Sequence, residues 1–226
     1  GMERFLDARK LGAKGIEPDS FYYDRALKEL EGEKDRSRSP VFMFVYLAAN
    51  HFPWEGRFRP DLMPEWRDPG NLPHVDEYLR RQTMSARDYR NFVERLQKKF
   101  PGEPFLIVRF GDHQPDFSTA ILEPGIDDVT LAKRLNDYDP RYFTTYYAID
   151  TVNFRPARLS SALPAVDAPY LAIVVLDAAG IPLDPSFEEQ KKIMLRCKGL
   201  FYACKDGAEA RRFNRLLIEA GFIKGL

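Results

Sequence analysis

The chain has 226 residues, of which 44% are apolar and 30% charged, with Lys+Arg and Asp+Glu equal at 34 each. That length suits one large domain, or two smaller ones, with a sizeable core, and a zero net charge gives no electrostatic reason to expect nucleic acid as a partner. The longest apolar run is about ten residues, far below the ~20 that a spanning helix needs, and no signal peptide is visible. Gly1 before Met2 has the look of a tag-cleavage remnant, which leaves the natural start open.

Residues 1–19 are mixed and read as irregular. Ser20 is placed to cap a helix running to Leu30, with Tyr23, Leu27 and Leu30 on one face. Glu31–Ser39 reads as a charged connector. Pro40 then opens an apolar run, 41–49, that is predicted to be a buried strand, and Asn50-His51 follows at its end. Residues 52–73 hold five prolines and two tryptophans and read as a long irregular loop, a type of segment that is often functional. From Val75 to Phe100 the stripe of Tyr89, Phe92, Val93 and Leu96 predicts a long helix, which Pro101-Gly102 ends. A second apolar strand, 105–110, leads into Gly111-Asp112-His113. Asp127 is placed to cap a helix over 128–136, and Tyr142–Val152 reads as a strand rich in Tyr and Thr. Helices follow over 167–179, ended by Gly180, and over 185–195. A short edge strand at 201–204 and a final helix at 206–220, with Gly221 after it, complete the chain. Alternating strands and helices predict an α/β class with a mostly parallel central sheet covered by helices, and strands 41–49 and 105–110 suit its centre.

Ligands of open α/β sheets bind beyond the carboxyl ends of the strands. Asn50-His51 and Asp112-His113 lie at two such ends, and parallel neighbouring strands would bring them to one edge. Asp and neutral His suit a divalent metal of mixed O/N preference. Neighbours on an extended strand point to opposite faces, so both reach one ion only if the backbone turns, which Gly111 and Pro115 permit. Each of these residues also has a plainer reading. The Asp-His pair can cap the next element, and His51 can pack among the aromatics of Phe-Pro-Trp. His74 reads as a surface or first-turn residue, Tyr142–Tyr147 as strand packing, and Arg155 and Arg158 as a solvated pair rather than an anion contact. The two cysteines, Cys197 and Cys204, either pair in an oxidising compartment or are two small buried thiols; their spacing is not that of a zinc site.

Four segments in order give a resemblance. Val41–Trp54, ending Asn50-His51-Phe52-Pro53-Trp54, is similar to the apolar strand and His-x-Pro-aromatic motif of sulfatase-type domains in the alkaline phosphatase superfamily. Tyr78–Leu96, with Asp88-Tyr89, resembles the long helix after that loop. Leu106–Pro115, with Gly111-Asp112-His113, resembles the strand ending in Gly-Asp-His. Asp167-Ala168-Pro169-Tyr170, running to Ala179-Gly180-Ile181-Pro182, resembles the helix that closes with Ala-Gly-Ile-Pro. The Asn-His-Phe-Pro-aromatic form and Glu3-Arg4-Phe5-Leu6-Asp7-Ala8 point to the lipoteichoic acid synthase and phosphoglycerol transferase branch.

The resemblance implies that residues 1–185 are the C-terminal part of a sulfatase-like catalytic domain, with 186–226 a helical extension packed on it. It implies Asp112 and His113 as ligands of a divalent metal (Mn, Zn, Mg or Ca) and His51 as a contact to the phosphate or sulfate of an ester substrate. The family's Thr, Ser or modified Cys nucleophile has no counterpart here, since neither cysteine stands in a Cys-x-Pro-Ser-Arg context. The implied partner is therefore the missing N-terminal half of the catalytic domain. The implied setting is extracytoplasmic, in the periplasm or at the outer face of the inner membrane, with the full-length protein membrane-anchored. The whole would hydrolyse or transfer a phosphate or sulfate ester, with phosphoglycerol-type transfer favoured, and the 226-residue piece alone would be inactive. Two alternatives stand: a sulfatase proper with a small sulfated substrate, and a non-catalytic binding module of degenerate sulfatase-like fold.

Overall fold

The computed structural model describes residues 3–36, 39–202 and 204–224. The reading of Gly1 and Met2 lies outside these residues, as do positions 37 and 38 of the connector and position 203 of the edge strand read at 201–204. The chain divides into two units, Gly1–Glu103 and Pro104–Leu226.

In the first unit a short helix, α1 (Ala8–Leu11), is capped by the Asp7 carboxylate accepting from Lys10 N. Helix α2 (Asp19–Arg36) and helix α3 (Pro73–Lys99) pack along each other. Tyr23, Ala26 and Leu27 of α2 are buried, as are Met84, Phe92 and Leu96 of α3, so the 3.6-residue stripes meet as expected. Tyr23 stacks on Phe92 with ring centroids 4.5 Å apart. Helix α2 begins one residue before the expected cap and runs to Arg36, into the connector read at 31–39. Its first carboxylate, Asp19, is buried. Burial raises that carboxyl above its usual range; a hydrogen bond with Ser85 opposes this, the Asp88 charge adds to it, and the Ala49 N–H opposes it.

Residues 41–48 correct the expectation of a buried central strand. They form no strand, and Phe42, Phe44 and Tyr46 are 81%, 53% and 59% exposed. An apolar, β-branched and aromatic run favours extended backbone, but a strand is completed only by a neighbour that takes up its hydrogen bonds. The long loop that follows is irregular, as its prolines require, apart from one 3-10 turn at Pro60–Leu62.

The second unit holds the sheet. Strands β1 (Phe105–Phe110) and β2 (Tyr147–Val152) pair antiparallel, in register Phe105↔Val152 to Phe110↔Tyr147. Arg109 reaches diagonally across to the Asp150 carboxylate at 2.9–3.0 Å. The class is mixed helix and strand, but the sheet among the described residues has these two strands only, antiparallel rather than parallel. Strand β2 starts five residues later than read, because Asp139-Pro140 closes a 3-10 turn at 140–142 with the Asp139 carboxylate accepting from Arg141 N. Helix α4 (Ser118–Leu122) follows the Asp-His turn, and α5 (Asp128–Asn136) starts where Asp127 accepts from Val129 N and Thr130 N.

Helix α6 (Leu171–Ala179) is preceded by a 3-10 turn, 168–170, and ended by Gly180 in the left-handed region. Asp167, read as the start of this helix, instead accepts from Phe201 N at 2.6 Å and ties the far turn to it. Helices α7 (Pro185–Arg196) and α8 (Ala208–Glu219) close the unit. Ile173, Val174, Ala178, Ile193 and Met194 make its core. Cys197 and Cys204 are joined in a disulfide, which decides between the two readings of that pair. Residues 201, 202 and 204 lie in turns rather than an edge strand.

Candidate functional site

The candidate residues fall into two groups, His51 in the first unit and Asp112 with His113 in the second. His51 follows a tight turn closed by its own N–H donating to Ala48 O at 3.0 Å. Its ring lies against Phe52, centroids 4.1 Å apart, so the aromatic packing considered from sequence is present. Its Nδ1 is 2.7 Å from Phe52 O. A carbonyl only accepts, so Nδ1 carries the proton. Nε2 then presents a lone pair in the neutral ring and an N–H in the cationic one.

The loop carrying His51 rests on the first turns of α3. Glu77, Arg80 and Arg81 are 4%, 1% and 4% exposed. Glu77 Oε1 accepts from Arg81 Nε at 2.7 Å, Arg80 Nη2 at 2.9 Å and Phe58 N at 2.9 Å, and Oε2 accepts from Arg80 Nε at 2.8 Å. Arg81 spends its remaining donors on the loop: Nη1 donates to His51 O at 2.9 Å, and Nη2 to Pro53 O at 2.9 Å and Gly56 O at 3.2 Å. Arg80 also donates to Phe58 O. Burial pushes the Glu77 carboxyl up, but the two guanidiniums and the Phe58 N–H outweigh it and bring it down to about 2. Trp54 adds a further contact, its indole N–H donating to Asn50 O at 3.2 Å. Sequence reading missed this cluster because charges at i, i+3 and i+4 are the ordinary mark of a solvated helix face. His74 is the second residue of α3, where a first-turn residue was read.

Past β1 the ladder continues for one more bond, Gly111 N donating to Tyr146 O at 3.1 Å. The approach is close: a Cβ on Gly111 would lie 2.2 Å from Thr145 Oγ1. The backbone then turns, and Asp112 and His113 come to one side, with Asp112 Oδ2 and His113 Nε2 3.8 Å apart. Two ligand atoms each about 2.0–2.2 Å from one ion span at most about 4.4 Å, so the pair fits a shared cation. Both side chains are open to solvent, at 64% and 63% exposed. His113 Nδ1 lies 2.8 Å from Gln114 O, so its proton is placed as in His51 and Nε2 is the outward ring nitrogen.

Gln114, a residue that sequence reading passed over, anchors this turn. Its amide donates to Arg141 O at 2.8 Å and Thr144 O at 2.5 Å and accepts from Ser118 Oγ at 2.9 Å. The aromatic cluster before β2 is divided: the Tyr147 hydroxyl donates to Leu163 O, Tyr142 donates to Glu123 at 2.8 Å, and Tyr146 is exposed. Arg155 and Arg158 are exposed; burial pushes the Asp177 carboxyl up, but Lys191 and Ser161 outweigh it and hold it below its usual range, with the Arg158 charge adding a last, smaller part. Among the described residues no three or more His, Cys, Asp or Glu side chains are grouped to hold a metal ion. The pair at 112–113 is therefore two side chains of a type that metals take rather than a closed site.

Compared with protein-family models, with curated proteins and with solved structures, the chain gives no match.

Proposed function

We propose that this chain is the C-terminal part of a metal-dependent, sulfatase-like enzyme that hydrolyses or transfers a phosphate or sulfate ester, with phosphoglycerol-type transfer the favoured reaction. The observation that carries this reading is the Gly111-Asp112-His113 turn, which sets a carboxylate oxygen and a ring nitrogen 3.8 Å apart at the end of a strand. Asp112 would supply an anionic oxygen and His113 a neutral nitrogen to one divalent cation, Mn, Zn, Mg or Ca. When bound, that cation supplies Lewis-acid polarisation and lowers the pKa of the attacking group. His51, its Nδ1–H tied to Phe52 O, donates from Nε2 in its cationic form to ester oxygens that gain charge as the bond breaks.

The nucleophile and the remaining ligands belong to the N-terminal half of the catalytic domain, which is the partner this reading requires. In that whole, β1 is one strand of a larger, mostly parallel sheet. Two features support the idea: a two-stranded ribbon is marginal alone, and Val41, Phe42, Phe44 and Tyr46 are exposed. The disulfide supports an extracytoplasmic setting. Among the described residues no helix is long and apolar enough to cross a membrane, and under this reading the full-length protein would carry its anchor elsewhere.

The test is the metal content, and the phosphodiesterase and sulfatase activity, of the longer protein with Asp112→Ala and His113→Ala. Loss of both properties is expected, while the 226-residue chain alone should show no turnover. Unchanged metal content and activity in both variants would refute the assignment. A second reading, a non-catalytic module, is favoured by the exposure of the pair, at 64% and 63%. Under it the longer protein would bind metal no better than the alanine variants.

A further inference from the structure

The loop that carries His51 is held in an unusual way. The carbonyls of the residues on either side of Phe52, His51 O and Pro53 O, accept from two nitrogens of one guanidinium, each at 2.9 Å. A third carbonyl, Gly56 O, shares Nη2 at 3.2 Å. Arg81 is itself fixed: Nε donates to Glu77 Oε1 at 2.7 Å, its Cζ lies 5.2 Å from the Phe58 ring centroid, and the side chain is 5% exposed. A buried planar fork on three carbonyls is a rigid support, because guanidinium nitrogens hold a set geometry and water is excluded from competing. Between the two carbonyls that Arg81 grips lies Phe52 O, which faces the His51 ring and accepts from Nδ1 at 2.7 Å.

We propose that Arg81 is the positioning residue for His51: by holding the peptide units on both sides of Phe52, it presents Phe52 O to Nδ1 and so fixes which ring nitrogen faces outward. The arrangement commits His51 to one tautomer and one direction before any substrate arrives. A lysine in place of Arg81 would keep a charge beside Glu77 but could not fork to three carbonyls, so charge and geometry are separable here. The proposal rests on the reading of His51 as an anion contact only for its functional meaning, and the experiment separates the two.

The chain labelled with 15N-histidine has three imidazoles, and His113 serves as an internal control because its own Nδ1 is tied to Gln114 O. Ring nitrogen shifts are recorded for the native chain, Arg81→Lys and Glu77→Gln, each confirmed folded by circular dichroism, with and without inorganic phosphate. The native chain should show His51 protonated at Nδ1 when neutral, and phosphate should perturb Nε2. In Arg81→Lys the neutral His51 ring should become a mixture of tautomers, and the cationic ring, no longer aimed, should bind phosphate about tenfold more weakly, the loss expected for one oriented charge-assisted hydrogen bond, while His113 stays unchanged. Glu77→Gln, which keeps the arginine but loosens its anchor, should give a smaller shift in the same direction. A folded Arg81→Lys with native His51 shifts overturns the proposal. A tautomer that depends on Arg81 in a chain whose His51 ignores phosphate sustains the positioning role and removes the anion reading instead.

Discussion

Glu77→Ala is the perturbation with the largest expected effect on the first unit. Glu77 is the shared counter-ion of Arg80 and Arg81, and it accepts four hydrogen bonds from Arg80, Arg81 and the Phe58 N–H. Truncation leaves two guanidiniums buried without a carboxylate, a change that typically costs about 3–5 kcal/mol. For a unit of this size that is a fall in melting temperature of more than about 10 °C. Both tryptophans, Trp54 and Trp66, lie in the same unit, so fluorescence-monitored urea unfolding reports on it selectively. The pH dependence gives an independent check. The Glu77 carboxyl is held at about 2 against an ordinary 4.5, so its contribution is complete above about pH 4.5 and is lost as pH falls towards 2. The full shift corresponds to an upper bound of about 3 kcal/mol. Glu77→Gln should therefore flatten the acid limb of stability. A Glu77→Ala chain within about 0.5 kcal/mol of the native one, with the acid limb intact, would refute the reasoning.

Gly111→Ala should destabilise the second unit by about 1–3 kcal/mol, because the added methyl meets Thr145 Oγ1. Adding Thr145→Ala should restore most of the loss in calorimetry, and a double variant as unstable as the single one would show that the close approach is not the cause. Replacing both Cys197 and Cys204 by Ala should cost about 2–3 kcal/mol in urea unfolding, the loop-closure value for so short a bridge, and adding a reductant to the native chain should match it. Asp19→Asn should raise the fluorescence-monitored midpoint at pH 7 and leave it unchanged at pH 3. Burial raises the native carboxyl, so the stability it allows below its unfolded pKa is lost as pH rises through the folded one. A lower midpoint at pH 7 would mean that the buried charge is held by more than its known partners.

The parts of the fold that were legible in the sequence are those whose cause is local. The α3 stripe of Phe92 and Leu96 is set by helical periodicity, and both are buried. Asp127 marks the start of α5 by a bond to its own next residues, and Gly180 ends α6 because the backbone there is left-handed. Segment 41–48 was misread because its residues report strand propensity, while a strand needs a partner that propensity does not name. The site divides in the same way. Gly111 signals a turn that brings Asp112 and His113 to one side, but nothing about an amide at Gln114 or a guanidinium at Arg81 announces that each reaches distant carbonyls. Long side chains act at a range that spacing along the chain does not record.

Those long side chains give the two candidate groups a common construction. In each, a histidine Nδ1 is tied to the carbonyl of the next residue, at 2.7 Å for His51 and 2.8 Å for His113. In each, a multidentate side chain anchors the segment: Arg81 grips three carbonyls of the loop around Phe52, and Gln114 ties its own turn to the distant Arg141 and Thr144 carbonyls. A histidine that only filled space would need its ring packed but not its tautomer set. With Nδ1 committed to a carbonyl, the role of the outward nitrogen is set: Nε2 offers a lone pair while the ring is neutral and an N–H once it is cationic. The two supports differ in strength as their settings do: the Arg81 fork is buried and charge-assisted, while Gln114 holds an exposed turn with neutral hydrogen bonds. The His51 ring should therefore be the more rigidly placed of the two, and the Asp112–His113 pair the more mobile, a difference that ring-nitrogen relaxation would read.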